Sequence, residues 1–362
     1  MVWIALSDHA GGAFATAGLG ASDQDRLAPP DNAVVRRGTI MIETRFSELS
    51  RPQTLLAFRH AHPFDGGFSL RALPRGGITL AQNIGADMLH ATLDHGHDAR
   101  ADLVRITYCW DCEKSWARLS LERLDNGQTV TRYLPRAHPL PFADMRRLAR
   151  PGAPIDMDSE VVFVAMADHV HPTGPLPGLC ASVPVATPSG PVPAACLRRG
   201  DTVCTADGDI VPVLQTVRLT VPARGTFRPI RLRAPFFGLN RDTHVAPHQR
   251  LVMSGSQVDY MFATSSVLVP ARHLVNDSSA FVVKTGDVVT YHHILLPAHK
   301  AVMVDDCQLE SLYIGRLRRN PKALSESVLA HCSHARLPEH ARPVSPVLKP
   351  FEAITLARAN AA

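Results

Sequence analysis

Three features of the sequence predict an all-β protein of two domains and a tail. The 362 residues exceed what one ordinary core organises. The 29 prolines and 23 glycines punctuate the chain too often for long helices. The apolar runs between them are short and alternate with period two. Hydrophobic content of 45% with 20% charged residues belongs to a chain that folds rather than one that stays disordered. The predicted parts are an antiparallel β-sandwich over residues 1–172, a second β-rich domain over 173–315, and a basic, Pro-rich tail with a short helix over 316–362.

Residues 1 to about 30 read as a lead-in that ends at Pro29-Pro30. Residues 38–46 then alternate through Ile40, Ile42 and Phe46, the pattern of a half-buried strand. Thr54–Arg59 and Phe68–Ala72 are strands on either side of the turn Pro63–Gly67, and Gly77–Leu80 is another. Leu103–Tyr108 and Ala117–Glu122 form a hairpin around Cys109–Trp116, and Asp125-Asn126-Gly127 marks a second hairpin turn. A turn or two of helix is expected over Pro141–Leu148, and a closing strand over Val161–Met166. Short strands at this spacing predict a sandwich. Their order resembles the jelly rolls of the concanavalin-like and laminin-G-like kind, which implies a carbohydrate or a protein surface as ligand.

The Pro/Gly-rich stretch Gly174-Pro175-Leu176-Pro177-Gly178 separates the domains. Beyond it come the strand Val183–Thr187, the turn Pro188-Ser189-Gly190, the block Leu197-Arg198-Arg199-Gly200-Asp201-Thr202-Val203 and a second strand. Further blocks run Ile210–Val213, Pro229–Arg233, His244–Val252, Val267–Leu274, Val288–Leu296, His299–Val304 and Glu310-Ser311. This ordered set, along about 140 residues, resembles a Hedgehog/intein (Hint) module of the bacterial type. The resemblance implies a flattened β-horseshoe whose first and last blocks meet. It also implies self-cleavage by an N–S acyl shift, in which a thiol attacks the preceding carbonyl and a histidine protonates the leaving nitrogen.

The residues depart from that pattern at both chemical positions. Anchoring on Val185-Ala186-Thr187 puts Gly178 where the nucleophile belongs, and the nearest thiol, Cys180, lies two residues later. Buried small hydrophobe is the other reading of Cys180. In the block Val245-Ala246-Pro247-His248-Gln249-Arg250, Gln249 stands at the histidine position, and His248 precedes it by one residue. One residue of shift in a strand turns a side chain to the opposite face. His292, His293 and His299 fall in the block where inteins carry an assisting histidine. Glu310-Ser311 replaces the terminal His-Asn, so full splicing is not expected. The candidate catalytic set is therefore Cys180, His248, His292, His293 and His299. The expected function is a Hint-domain protein whose self-cleavage is weakened or lost, and the alternative is a non-catalytic binding or structural protein.

No cofactor or metal is expected. Cys109-Trp110-Asp111-Cys112 lacks the second pair a zinc ribbon needs. His90, His95 and His97 around Asp94 and Asp98 read first as a solvated loop and only second as a chelating set. Seven cysteines without small-scaffold spacing do not form a disulfide framework. Eight basic against three acidic residues between Ile314 and Ala362 account for the net charge of +5. Such a run reads as a solvated face rather than a nucleic-acid surface. The N-terminus lacks a basic n-region, and no apolar stretch has transmembrane length. Cytoplasmic residence is the default expectation, with signal-less secretion as the alternative.

Overall fold

A computed structural model describes the chain except residues 1, 22–29, 31, 47–51, 75, 97–102, 126, 151, 277 and 360–362. The chain forms two compact units, Met1–His171 and Pro172–Ala362. The all-β class holds in both: the elements are almost all short strands, with antiparallel ladders throughout the sheets. Among the described residues, no helix is long and apolar enough to cross a membrane.

The first unit is a two-sheet sandwich. Its seven-stranded sheet runs Thr129–Leu134, Trp116–Arg123, Leu103–Asp111, Arg37–Arg45, Val161–Ala167, Trp3–Asp8, Gly11–Phe14. Its five-stranded sheet runs Ile155–Asp156, Gln53–His60, Gly66–Leu73, Gly77–Ile84, Asp87–Asp94. Alternation sends Ile40, Ile42, Ile106 and Tyr108 of one sheet against Leu56, Phe58, Phe68 and Leu80 of the other, in one continuous core. The expected lead-in instead carries two strands, while its residues 22–29 lie outside the described ones. Trp3–Asp8 is an interior strand paired with Val161–Ala167 on one side and Gly11–Phe14 on the other. Its four apolar residues, Trp3 to Leu6, are all buried. The helix Phe142–Leu148 forms where it was expected. His90 and Asp94 belong to a strand rather than a loop, while His97 and Asp98 lie outside the described residues, as does Asn126 of the second hairpin turn.

The second unit contains a six-stranded sheet: Gln215–Pro222, Val288–Leu295, Leu179–Cys180, Thr243–Val245, Ile230–Leu232, Ala280–Val282. A four-stranded sheet runs Ser266–Pro270, Arg250–Ser254, Cys307–Glu310, Ala301–Val304. The expected first strand, Pro184–Thr187, pairs with Gly190–Pro193 in a hairpin closed at Gly190, whose φ of 113° only glycine adopts freely. The tail contributes to the packing. Leu348, Ala353 and Leu356 join the main core, and Leu324, Leu329 and Leu337 join a second cluster with Val217, Leu295 and Leu312. Where one short helix was expected, the tail forms two. Pro321–Glu326 starts where it does because Asn320 accepts from the Ala323 N–H and Pro321 supplies the first helical φ, and Pro350–Ala359 follows. Residues 334–336 add only a 3₁₀ turn.

Candidate autoprocessing site

The two-residue strand Leu179–Cys180 sits in the interior of the six-stranded sheet. Leu179 pairs with Val245 on one side and His292 on the other, and Cys180 faces Tyr291. Pro175 and Pro177 lack the N–H that would extend the ladder upstream. Downstream the chain turns at once, the Val183 N–H donating to the Cys180 carbonyl at 3.1 Å. The first segment of the second unit therefore does lie beside the His292–His293 strand, but through Leu179–Cys180 rather than Val183–Thr187.

Gly178 is buried immediately before that strand, its carbonyl accepting from the Ala246 N–H at 2.7 Å. The space a side chain would take at Gly178 is already filled. A Cβ there would overlap Gln249 Oε1 and lie 3.0 Å from both Cβ and Cδ of Gln249. Gln249 is itself buried and anchored, since its Nε2 donates to the carbonyls of Arg250 and Glu310, each at 3.1 Å. The two departures from the Hint pattern are thus one packing unit, in which the glutamine amide stands where a nucleophile's side chain would project. An amide has no proton to give a leaving amine at neutral pH.

His248 does not behave as a strand residue. It lies in the turn closed by the Gln249 N–H on the Ala246 carbonyl, between the strands Thr243–Val245 and Arg250–Ser254. The face-flip expected for a one-residue shift does not apply, because strand alternation stops at that turn. His248 Nε2 reaches the Pro177 carbonyl at 3.0 Å and the Leu176 carbonyl at 3.3 Å. Its ring stands edge-on to Tyr291, with centroids 6.4 Å apart. The imidazole is therefore aimed at the peptide bond that precedes Gly178. Cys180 would have to attack a different carbonyl, that of Leu179. Its thiol is only half-exposed, and burial pushes its pKa up to about 12, so it is held in the poorly nucleophilic protonated form.

The late histidines divide. His292 pairs with Leu179 and Arg218, and burial and the Arg218 charge lower its pKa. His293, next along the strand, points to the opposite face and is buried. Burial, with smaller contributions from His248 and His299, pushes its pKa down to about 3. His299 lies beyond the strand with its tautomer fixed. Its Nδ1 accepts from the Val344 N–H at 2.8 Å, which leaves the Nε2 proton facing Glu310 Oε1 at 3.1 Å. Arg250 Nη1 holds the same carboxylate oxygen at 2.8 Å. The ring of His299 packs on Tyr313 at 4.8 Å and His340 at 5.6 Å.

Of the expected set, His248, His293 and His299 fall into one electrostatically linked group, and Cys180 shares Tyr291 with His248 as a neighbour. His292 is turned away from His293. Arg250, Tyr313 and His340 were not anticipated. His340 and Val344 sit in the tail, where no motif marks them. Among the described residues there is no group of three metal-ligating side chains, and all seven cysteines are free.

Residues 177–316 match the family model of the Hint domain. No curated protein matches the chain. Among solved structures, the AceL NrdHF class 3 split intein is similar at 10% identity, over 38% of this chain and 100% of that one, with a TM-score of 0.27. The CBM40 of the Ruminococcus gnavus IT-sialidase is similar at 16% identity, over 37% and 77% of the two chains, with a TM-score of 0.26. The LG1-3 region of the laminin alpha2 chain is similar at 12% identity, over 79% and 53%, with a TM-score of 0.26. Likenesses this loose identify no ligand.

Proposed function

We propose that this Hint-domain protein keeps the fold of a self-cleaving module without efficient self-cleavage, and that its work is binding. One observation carries the reading: the Gln249 side chain occupies the position a nucleophile at Gly178 would need. The remaining thiol adds to it. Cys180 is protonated, and the imidazole that could polarise a carbonyl addresses Pro177 rather than Leu179. A general acid out of place typically costs about 10²–10⁴-fold in rate. Any residual reaction would use Cys180 on the Leu179 carbonyl, with the proton supplied from the group His248, His292, His293 and His299.

The test is the intact mass of the purified chain over days, with and without excess thiol or hydroxylamine. The expected result is a single species at 39.3 kDa under every condition. A thiol-accelerated fragment ending at Leu179, absent from Cys180→Ala, would restore the catalytic reading.

The binding part, on this reading, is the N-terminal sandwich, and its ligand is a carbohydrate. What favours this is an open trough on the outer face of the five-stranded sheet, about 790 Å³ in volume and lined by Arg59, Ser69, Arg71, Asn83 and Asp156 among others. A concave site of that size with a few convergent polar groups suits a small hydroxylated ligand.

A further inference from the structure

One face of the five-stranded sheet packs in the core, and the other is open. The register places Ala57, Ser69 and Ala81 side by side on three adjacent strands, with Gly67 one row away. Residues two apart share a face, so all four belong to the open side. Their small side chains form the floor of the trough. Arg59 is opposite Gly67, and Arg71 stands four residues from Gly67 along the same strand, so the two arginines mark opposite ends. At strand rise their levels differ by about 13 Å. Both are exposed, and neither side chain has an ion-pair partner among the described residues. Against these two charges the lining holds one carboxylate, Asp156, opposite Ala57. Met88, 57% exposed, adds an apolar wall beside Asn83.

We infer that this trough binds an acidic oligosaccharide, one whose sugars carry carboxylates, with Arg59 and Arg71 each receiving a carboxylate and Ser69 and Asn83 meeting hydroxyls. The inference rests on the carbohydrate reading of the sandwich. Guanidinium forks pair carboxylates bidentately, which fixes the spacing and the orientation of the ligand. An extended acidic peptide fits less well. The strands Gly66–Leu73 and Gly77–Ile84 are each paired on both sides, so the floor offers no free backbone edge for strand addition.

The experiment is calorimetric titration of the full chain with trigalacturonate, its neutral methyl ester, a neutral cello-oligosaccharide and an oligoglutamate of similar length. Trigalacturonate is expected to bind, to weaken as salt rises, and to weaken about tenfold in Arg59→Ala and again in Arg71→Ala. Ala81→Leu, which fills the floor, should weaken it too, and thermal melts confirm that each variant is folded. Equal binding of trigalacturonate and the neutral sugars, unchanged in the arginine variants, overturns the acidic inference while the carbohydrate reading stands. Binding of oligoglutamate alone, or of none of the four, overturns both. Trigalacturonate binding that all three variants leave intact overturns this site.

Discussion

Gly178 and Gln249 share one volume: the glutamine amide fills the place that a side chain on Gly178 would claim. Gly178→Ala is therefore expected to destabilise the chain by about 1–3 kcal/mol, the usual cost of overpacking. In a Gln249→Ala background the same substitution should cost much less. Denaturant melts of the four proteins of this cycle measure the coupling. Additive effects would mean that the two residues do not compete for space.

Cys180 should be slow to alkylate. Its thiol is pushed up to about 12 by burial, whereas Cys196 is exposed. In the native state at about pH 8, iodoacetamide should label Cys196 well before Cys180, as followed by peptide mass spectrometry. Equal rates would show that the Leu179–Cys180 strand opens readily.

Acid should weaken the second unit through His293. Its folded pKa is depressed to about 3 from the ordinary 6.5, so below 6.5 the unfolded chain binds a proton that the folded chain refuses. Stability is then full above 6.5 and falls as the pH drops toward 3, by up to about 3 kcal/mol at about pH 4. His248 and His299 face the same site and contribute to that depression. His293→Phe should flatten the slope of stability against pH, whatever it does to stability at neutral pH. An unchanged slope would assign the acid sensitivity to other groups.

Limited proteolysis should cut near Gly174, which is exposed, and spare Pro177 to Leu179, which are buried. Peptide mapping of early fragments checks this. A first cut after Leu179 would contradict the interior placement of that strand.

Strands such as Arg37–Arg45 and Val161–Ala167 are legible because alternation is local. Ile40 and Ile42 announce their face within three residues. The pairing of Trp3–Asp8 with Val161–Ala167 was not legible, since its partner lies more than 150 residues away and its own apolar run is short. The departures at Gly178 and Gln249 could be read from motif spacing, but that the two touch could not. The alternation argument does not reach His248, because the turn at Ala246–Gln249 interrupts a stretch that reads as continuous strand. The Glu310 carboxylate beside His299 arises from Cys307–Glu310 packing in a separate sheet, and the Val344 hydrogen bond comes from a tail without periodicity.

That last hydrogen bond separates two kinds of boundary. The family match ends at residue 316, yet Val344 orients His299, and Leu348, Ala353 and Leu356 complete the core of the same unit. The matched module and the compact unit are different lengths of chain. A gene fragment cut at the motif's edge would leave out the clamp on His299 and part of the core, so a graft of this module is expected to need its C-terminal strap.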